Sequence, residues 1–346
     1  MLLFLLLGSV ILALGININQ FPCSTPICAT IIPLESLTNQ GEEINLSKQN
    51  WFKGNLHTHT TESDGDADPE WVANWYKEHG YDFLVLSDHN HRTILEQEID
   101  GLLMVPGEEV TAQIKMGKIP IHINGIGVSR VVEPTDGNDI VGTIQANVNS
   151  IREAGGIAQI NHPNFRWAFD HTHISQVRGA SLIEVHNSHP ANNILGAPGK
   201  PSDEEIWDMV LSSGVVLFGT ATDDSHNYQD WLPNLSNPGR GWVMVAAEDL
   251  SADSIVEALT TGDFYSSTGV TLISEETTKT EITIEIKEER DHIYKTIFSG
   301  LNGDVLSQAV GTSATYKITG DETYVRATIY SSSGQKAWTQ PVFVGR

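Results

Sequence analysis

Cysteine is nearly missing from this chain. Only Cys23 and Cys28 occur in 346 residues. A thiol nucleophile and a cysteine-ligated zinc site are therefore excluded from everything after them. The pair could close a small disulfide loop in an oxidising compartment. Positive charge is scarce too: 20 Lys and Arg stand against 44 Asp and Glu, for a formal net charge of −24. Tracking a nucleic-acid backbone needs basic stripes, so no duplex partner is expected. The acid surplus reads as solubility. It leaves a small phosphorylated substrate open, because local cation charge can override the global field. No apolar run is long enough to cross a bilayer. The longest, Leu2 to Leu14, fits the core of a signal peptide instead. No Lys or Arg precedes Lys48, so the basic flank of such a peptide is lacking. Export to a periplasmic or secreted location is the expectation, with membrane attachment only through an uncleaved leader.

What the chain does contain is alternation. A leader over 1–22 and a linker over 23–50 precede a segment, 51–270, in which short apolar runs alternate with helical patterns. "YDFLVLSDHN", "LLMVPGEEVT", "IPIHINGIGV", "GIAQINHP", "SLIEVHNSHP" and "VVLFGTATDDSH" each begin as a buried strand and end in polar residues. Continuous apolar runs suit parallel strands covered on both faces. Between them, Asp68 with Pro69, Ser202 or Asp203, and Ser251 read as helix starts. Gly80, Gly214 and Gly262 read as the matching stops. This order predicts an α/β domain with a parallel sheet, close in size to a (β/α) barrel. After Gly269, "TEITIEIKEERDHIYKTI" alternates at period two, and "TYVRATIYSSSGQKAWTQPVFV" reads as two strands around a Ser/Gly turn. A small all-β domain is expected over 272–346.

Twelve of the 13 histidines lie between His57 and His226. His79, His171 and His173 sit in a helix end and a loop, where they need mean little. The others gather where strands end, the position that builds active sites in (β/α) barrels. "NLHTHT" supplies His57 and His59, which point the same way along an extended chain. "SDHN" supplies Asp88, His89 and His91, and "PGEE" supplies Glu108 and Glu109. "IHING" supplies His122, "NHP" His162, and "TDDSH" Asp224 and His226. Imidazoles with carboxylates are the donors of zinc, manganese or iron sites. One HxH is a weak signal, but six strand ends all bearing His or acid make a joint pattern.

The set "HTH", "SDG", "SDH", "PGEE", "NHP" and "DDSH" resembles the polymerase and histidinol phosphatase (PHP) superfamily of metallohydrolases. The chain's ending is similar to the tail of a carbaryl-hydrolase-like branch. The resemblance implies a distorted seven-stranded (β/α) TIM-like barrel with a small C-terminal all-β domain. It implies two or three divalent metal ions. His57 and His59 would hold the first, with Asp224 returning to it. Glu109, rather than Glu108, would bridge to a second held by His122 and His162. His89 and His226 would hold a third. Asp64, in "SDG", stands where some members carry a histidine, which implies a weaker third site.

The expected activity is hydrolysis of an ester by a metal-bridged hydroxide, with a phosphomonoester or phosphodiester as substrate. Asp64 doubles as a candidate catalytic group. His91 and His186 are candidates to protonate the leaving group, and Asp223 to support His226 or Asp224. Glu184 and Asn187, in "IEVHN", face either the pocket or ordinary strand-end hydrogen bonds. Arg92, Lys115 and Arg166 are candidate phosphate partners. Three alternatives stand beside this reading: a carbamate or carboxylic ester hydrolase, an inert exported metal-binding module, and a polymerase-associated proofreading subunit. The last is disfavoured by the acidic charge.

Overall fold

The computed structural model describes residues 50–345 except 115 and 116. The leader, nearly all of the linker, both cysteines and Lys115 lie outside the described residues. No helix among the described residues is long and apolar enough to cross a membrane.

Ten strands and five helices carry the first part: β1 (Asn50–Asn55), α1 (Pro69–Glu78), β2 (Phe83–Leu84), β3 (Leu103–Met104), β4 (Gly107–Ile114), β5 (Ile119–Ile126), α2 (Ile140–Glu153), β6 (Ile157–Ile160), α3 (His171–Ile174), β7 (Leu182–Asn187), α4 (Asp203–Ser212), β8 (Phe218–Thr222), β9 (Trp242–Ala247), α5 (Ala252–Thr261) and β10 (Phe264–Ser267). Eight more follow: β11 (Leu272–Thr277), β12 (Glu281–Ile286), β13 (Tyr294–Ser299), β14 (Val305–Val310), β15 (Ser313–Lys317), β16 (Tyr324–Ser331), β17 (Lys336–Trp338) and β18 (Val342–Phe343).

The helix punctuation works as its chemistry dictates. The Asp68 side chain accepts from the Glu70 amide, with Pro69 at the first helical position. Ser202 and Glu205 form a reciprocal capping box on α4. Ser251 caps α5, and Gly262 ends it in the left-handed region at φ 86°. His171 and His173 lie in the short α3 rather than in a loop.

A five-stranded sheet runs β4-β5-β6-β7-β8, and a ten-stranded sheet runs β14-β13-β16-β17-β10-β9-β1-β2-β3 with β18 against β16. A three-stranded sheet, β11-β12-β15, completes the C-terminal part. The α/β character is as expected, but strand pairing does not close a seven-stranded barrel. Among the described residues, strand pairing between the first two sheets is limited to the single-residue bridges Thr58 to Ser225 and His89 to Glu109. There, single backbone bonds stand in for a ladder: His59 N–H donates to the Ser225 carbonyl at 2.9 Å and Asp224 N–H to the His57 carbonyl at 3.0 Å. Beyond the ends of β1 and β2, side chains take the backbone donors. Thr58 N–H donates to Ser87 Oγ at 3.0 Å, and Thr60 N–H to Asp88 Oδ1 at 2.7 Å. The parallel expectation also holds only in part. β6-β7-β8 and β1-β2-β3 are parallel, whereas β4-β5, β5-β6 and β1-β9 are antiparallel. Only four residues join β4 to β5, too few for a parallel crossover.

The core follows the sheets. Ile121, Ile123, Ile160 and Ile183 pack under α2 and α4 with Trp207. Leu56, Phe83, Val243 and Val245 pack with Ile255 and Leu259 of α5. Gly54 lets β1 and β2 approach: a Cβ there would lie 2.1 Å from the Phe83 ring. Tyr324 of β16 and Trp338 of β17 enter the same core as α4. Below them, Arg326 of β16 is buried against Asp208 of α4, with Nε to Oδ1 at 2.7 Å and Nη2 to Oδ2 at 2.5 Å.

Candidate metal centre

The strand ends and the loops after them bring nine donors together at the seam between the two larger sheets. His57 and His59 leave β1 fully buried. Glu109 of β4 lies at the centre. Its carboxylate sits within 4.0 Å of five imidazoles: His57 (3.5 Å), His59 (3.4 Å), His89 (2.9 Å), His122 (3.0 Å) and His162 (3.3 Å). Its neighbour Glu108 points the other way and accepts from the Val132 amide at 2.7 Å. Asp224, beyond β8, puts Oδ1 3.2 Å from His57 Nε2 and 3.3 Å from His59 Nε2. Asp64 reaches in from the loop after β1. Its oxygens lie 3.4 Å from His59 Nδ1, 3.5 Å from His89 Nε2 and 3.3 Å from His226 Nε2.

Four overlapping groups place one ligand atom per residue within 4.8 Å of one another: His59, Asp64, His89 and His226; His57, His59 and Asp224; His57, Glu109 and His162; His89, Glu109 and His122. The donor chemistry fits divalent cations. A second observation agrees. His57 Nε2 and His59 Nε2 are buried with no hydrogen-bond partner, though carboxylate oxygens face both. Buried polar atoms are rarely left so, and a cation between such groups would satisfy all of them. The group around Asp64 is the only one with four donors, so the aspartate takes its place in the third set alongside His59, which also belongs to the first.

Surrounding side chains fix these donors. Glu184 of β7 takes His57 Nδ1 at 2.7 Å, which leaves Nε2 with its lone pair towards the cluster. Its other oxygen accepts from the His162 amide (2.8 Å) and Asn187 Nδ2 (2.9 Å). The His226 Nδ1 faces the Asp224 carbonyl at 2.8 Å, turning Nε2 to Asp64. Asn161 donates to Glu109 Oε1 at 2.9 Å, and Asn187 and Asn192 both donate to Asp224 Oδ2 at 3.1 Å. His162 and Asp224 hold left-handed backbone at φ 22° and 47°, conformations costly for residues with a Cβ and concentrated at functional sites.

The electrostatics are dense. Burial pushes the Glu109 carboxyl up, but His122, His89 and His57 outweigh it and hold the group well below the usual carboxylate range. Burial raises Asp224 likewise, and His57, His59 and His226 bring it well down. Burial and the nearby His226 push His59 down to about 4. Burial also lowers His89, but Glu109 and Asp64 lift it to about 10.

The four residues first considered for proton transfer or support fare differently. Asp64 joins the cluster. His91 does not: it is half exposed and pairs with Glu62 at 3.5 Å, because Asn90, at φ 51°, turns the chain outward before it. His186 does not either. A register irregularity in β7 falls between Glu184 and His186, so the two do not share a face. His186 turns to Ser188 Oγ (3.1 Å) and lies 5.7 Å from the Trp338 ring. Asp223 is buried behind the site. It accepts from Asn55 Nδ2, the Tyr76 hydroxyl and the amides of residues 239–241, and meets neither Asp224 nor His226. Asp88 is likewise a brace, accepting from Thr60, Ser63 and Thr93.

No family model matches the chain, and no curated protein does. Solved structures do. A two-domain protein from Bacteroides vulgatus containing a predicted PHP-like metal-dependent phosphoesterase is 16% identical, with TM-score 0.48 over 84% of this chain and 92% of that one. The lesion-specific endonuclease EndoQ of Pyrococcus furiosus is 13% identical, with TM-score 0.40 over 61% of this chain and 56% of that one. An amidohydrolase from Chromobacterium violaceum is 17% identical, with TM-score 0.35 over 53% and 93%. Nothing in these descriptions bears on the carbaryl-hydrolase-like branch.

Proposed function

We propose that this chain is a metal-dependent hydrolase of the PHP type that acts on phosphoric esters. The observation that carries the reading is the convergence of six histidines and three carboxylates, with two buried imidazole nitrogens left unpartnered between them. Divalent cations held there would supply Lewis acidity and a water acidified towards neutral pH. The chain's own part is orientation. Glu184 and the Asp224 carbonyl set the ring faces of His57 and His226, while Asn161, Asn187 and Asn192 hold Glu109 and Asp224 in place.

Preference for phosphate rests on a nearby cation. Arg92 gives its Nε–H to the Val128 carbonyl at 3.0 Å. Arg166 is exposed, makes no ion pair among the described residues, and stacks over Phe165. That ring in turn lies 5.4 Å from His162 and 5.8 Å from His122. Manganese- or zinc-loaded protein is expected to turn over p-nitrophenyl phosphate or bis-p-nitrophenyl phosphate. Turnover of naphthyl esters alone would overturn the phosphate assignment in favour of a carboxylic ester or carbamate. Export, with the leader removed, is proposed on the apolar run at Leu2 to Leu14.

A further inference from the structure

A cleft of about 580 Å³ opens beside the histidine cluster, between the segment following β7 and the turn joining β16 to β17. Its volume falls in the range of small-molecule sites, roughly 300–1,000 Å³. It shares a wall with the cluster. Asn187, in the lining, donates to Asp224 Oδ2 at 3.1 Å, and the ring of His189, also in the lining, lies 5.2 Å from that of His226. The far wall comes from the C-terminal strands, through Ser333 and Gln335.

The lining has a definite chemical character. In a chain of net charge −24, no carboxylate lines it. Its one permanent cation, Arg240, already gives three N–H bonds to its own loop: the carbonyls of Leu232 and Leu235 and the Asn237 side chain. What remains is uncharged. His189 Nδ1 accepts the Ala191 amide at 3.2 Å, so the proton of the neutral ring sits on Nε2, which no described group accepts. The Ser333 hydroxyl donates to Gln335 Oε1 at 3.0 Å, leaving the Gln335 NH₂ without a partner among the described residues. Leu195, 83% exposed, adds an apolar surface.

We propose that this cleft binds the leaving group of the ester, and that this group is an uncharged polyol such as a sugar. Gln335 and His189 hydrogen-bond its hydroxyls, and its C–H face packs on Leu195. The inference rests on the ester hydrolysis proposed above and assigns the C-terminal strands a part in substrate selection.

The test compares metal-loaded full-length protein with its Gln335→Ala variant on glucose 1-phosphate, 3-phosphoglycerate and p-nitrophenyl phosphate. The wild type is expected to favour glucose 1-phosphate over 3-phosphoglycerate. In the variant, the ratio of kcat/KM for glucose 1-phosphate to that for p-nitrophenyl phosphate falls about fivefold, the worth of one hydrogen bond. Preference for the anionic leaving group, or an unchanged ratio, overturns the proposal while leaving the hydrolase standing. Should no ester be turned over, saturation-transfer NMR with methyl glucoside decides the cleft separately. A signal lost in Gln335→Ala supports it, and no signal in the wild type overturns it.

Discussion

Single residues decide whether the cluster can hold metal, and which of them do so was unevenly legible. His57, His59, His89, Glu109, His122, His162, Asp224 and His226 stood out because few residue types serve as donors and strand ends expose them together. Of the asparagines that steady Glu109 and Asp224, Asn187 was visible only as part of a strand end, and Asn161 and Asn192 gave no signal. Asn is common in loops, and only the folded chain shows what it touches. His91, His186 and Asp223 misled through proximity in sequence, since one left-handed residue, one strand irregularity or one step along the chain turns a side chain away. Two predictions belong here. Glu184→Ala removes the group that orients His57, and metal affinity is expected to fall about 10- to 100-fold, read by competition with a chelating dye. An unchanged affinity would make Glu184 a mere packing residue. Asp64→Ala is expected to cost about one ion per chain with the others retained, because Asp64 belongs to one donor group only. Loss of every ion, or of none, would contradict the assignment.

At the scale of elements, α1, α4 and α5 were readable because caps and stops act within four residues, whereas α2 and the short α3 went unread. Strand direction and closure were not. A buried run such as β4 looks the same whether its partner is parallel or antiparallel, and the seam between sheets rests on isolated backbone bonds, such as His59 N–H to the Ser225 carbonyl, that no sequence pattern marks. β11 carries a further consequence. Burial, with Asp263 adding to it, raises Glu275 to about 8. Its unfolded value lies near 4.5, so between these pH values the folded state holds a proton that the unfolded state lacks. Stability contributed by this group is thus present at low pH and lost as pH rises towards 8. Glu275→Gln should raise Tm at pH 8 and converge on wild type near pH 4.5. Equal Tm gains at both pH values would show that ionisation is not the cause.

Across the whole molecule, Arg326 ties β16 to α4 through Asp208, whose Oδ1 also accepts from the Tyr324 hydroxyl at 2.9 Å. Removing one partner of such a buried pair strands the other's charge. Arg326→Met is therefore expected to cost about 3–5 kcal/mol in urea unfolding. A cost under about 1 kcal/mol would mean the pair behaves as if solvated. The cluster at the seam joins distant parts of the chain in the same way, from His57 to His226. Its function as a metal centre is the claim on which all the chemistry depends. Elemental analysis of purified full-length protein tests it most directly. About two to three divalent ions per chain are predicted, since the donors fall into overlapping groups. Fewer than one tightly held ion per chain, after loading with zinc or manganese, would contradict it.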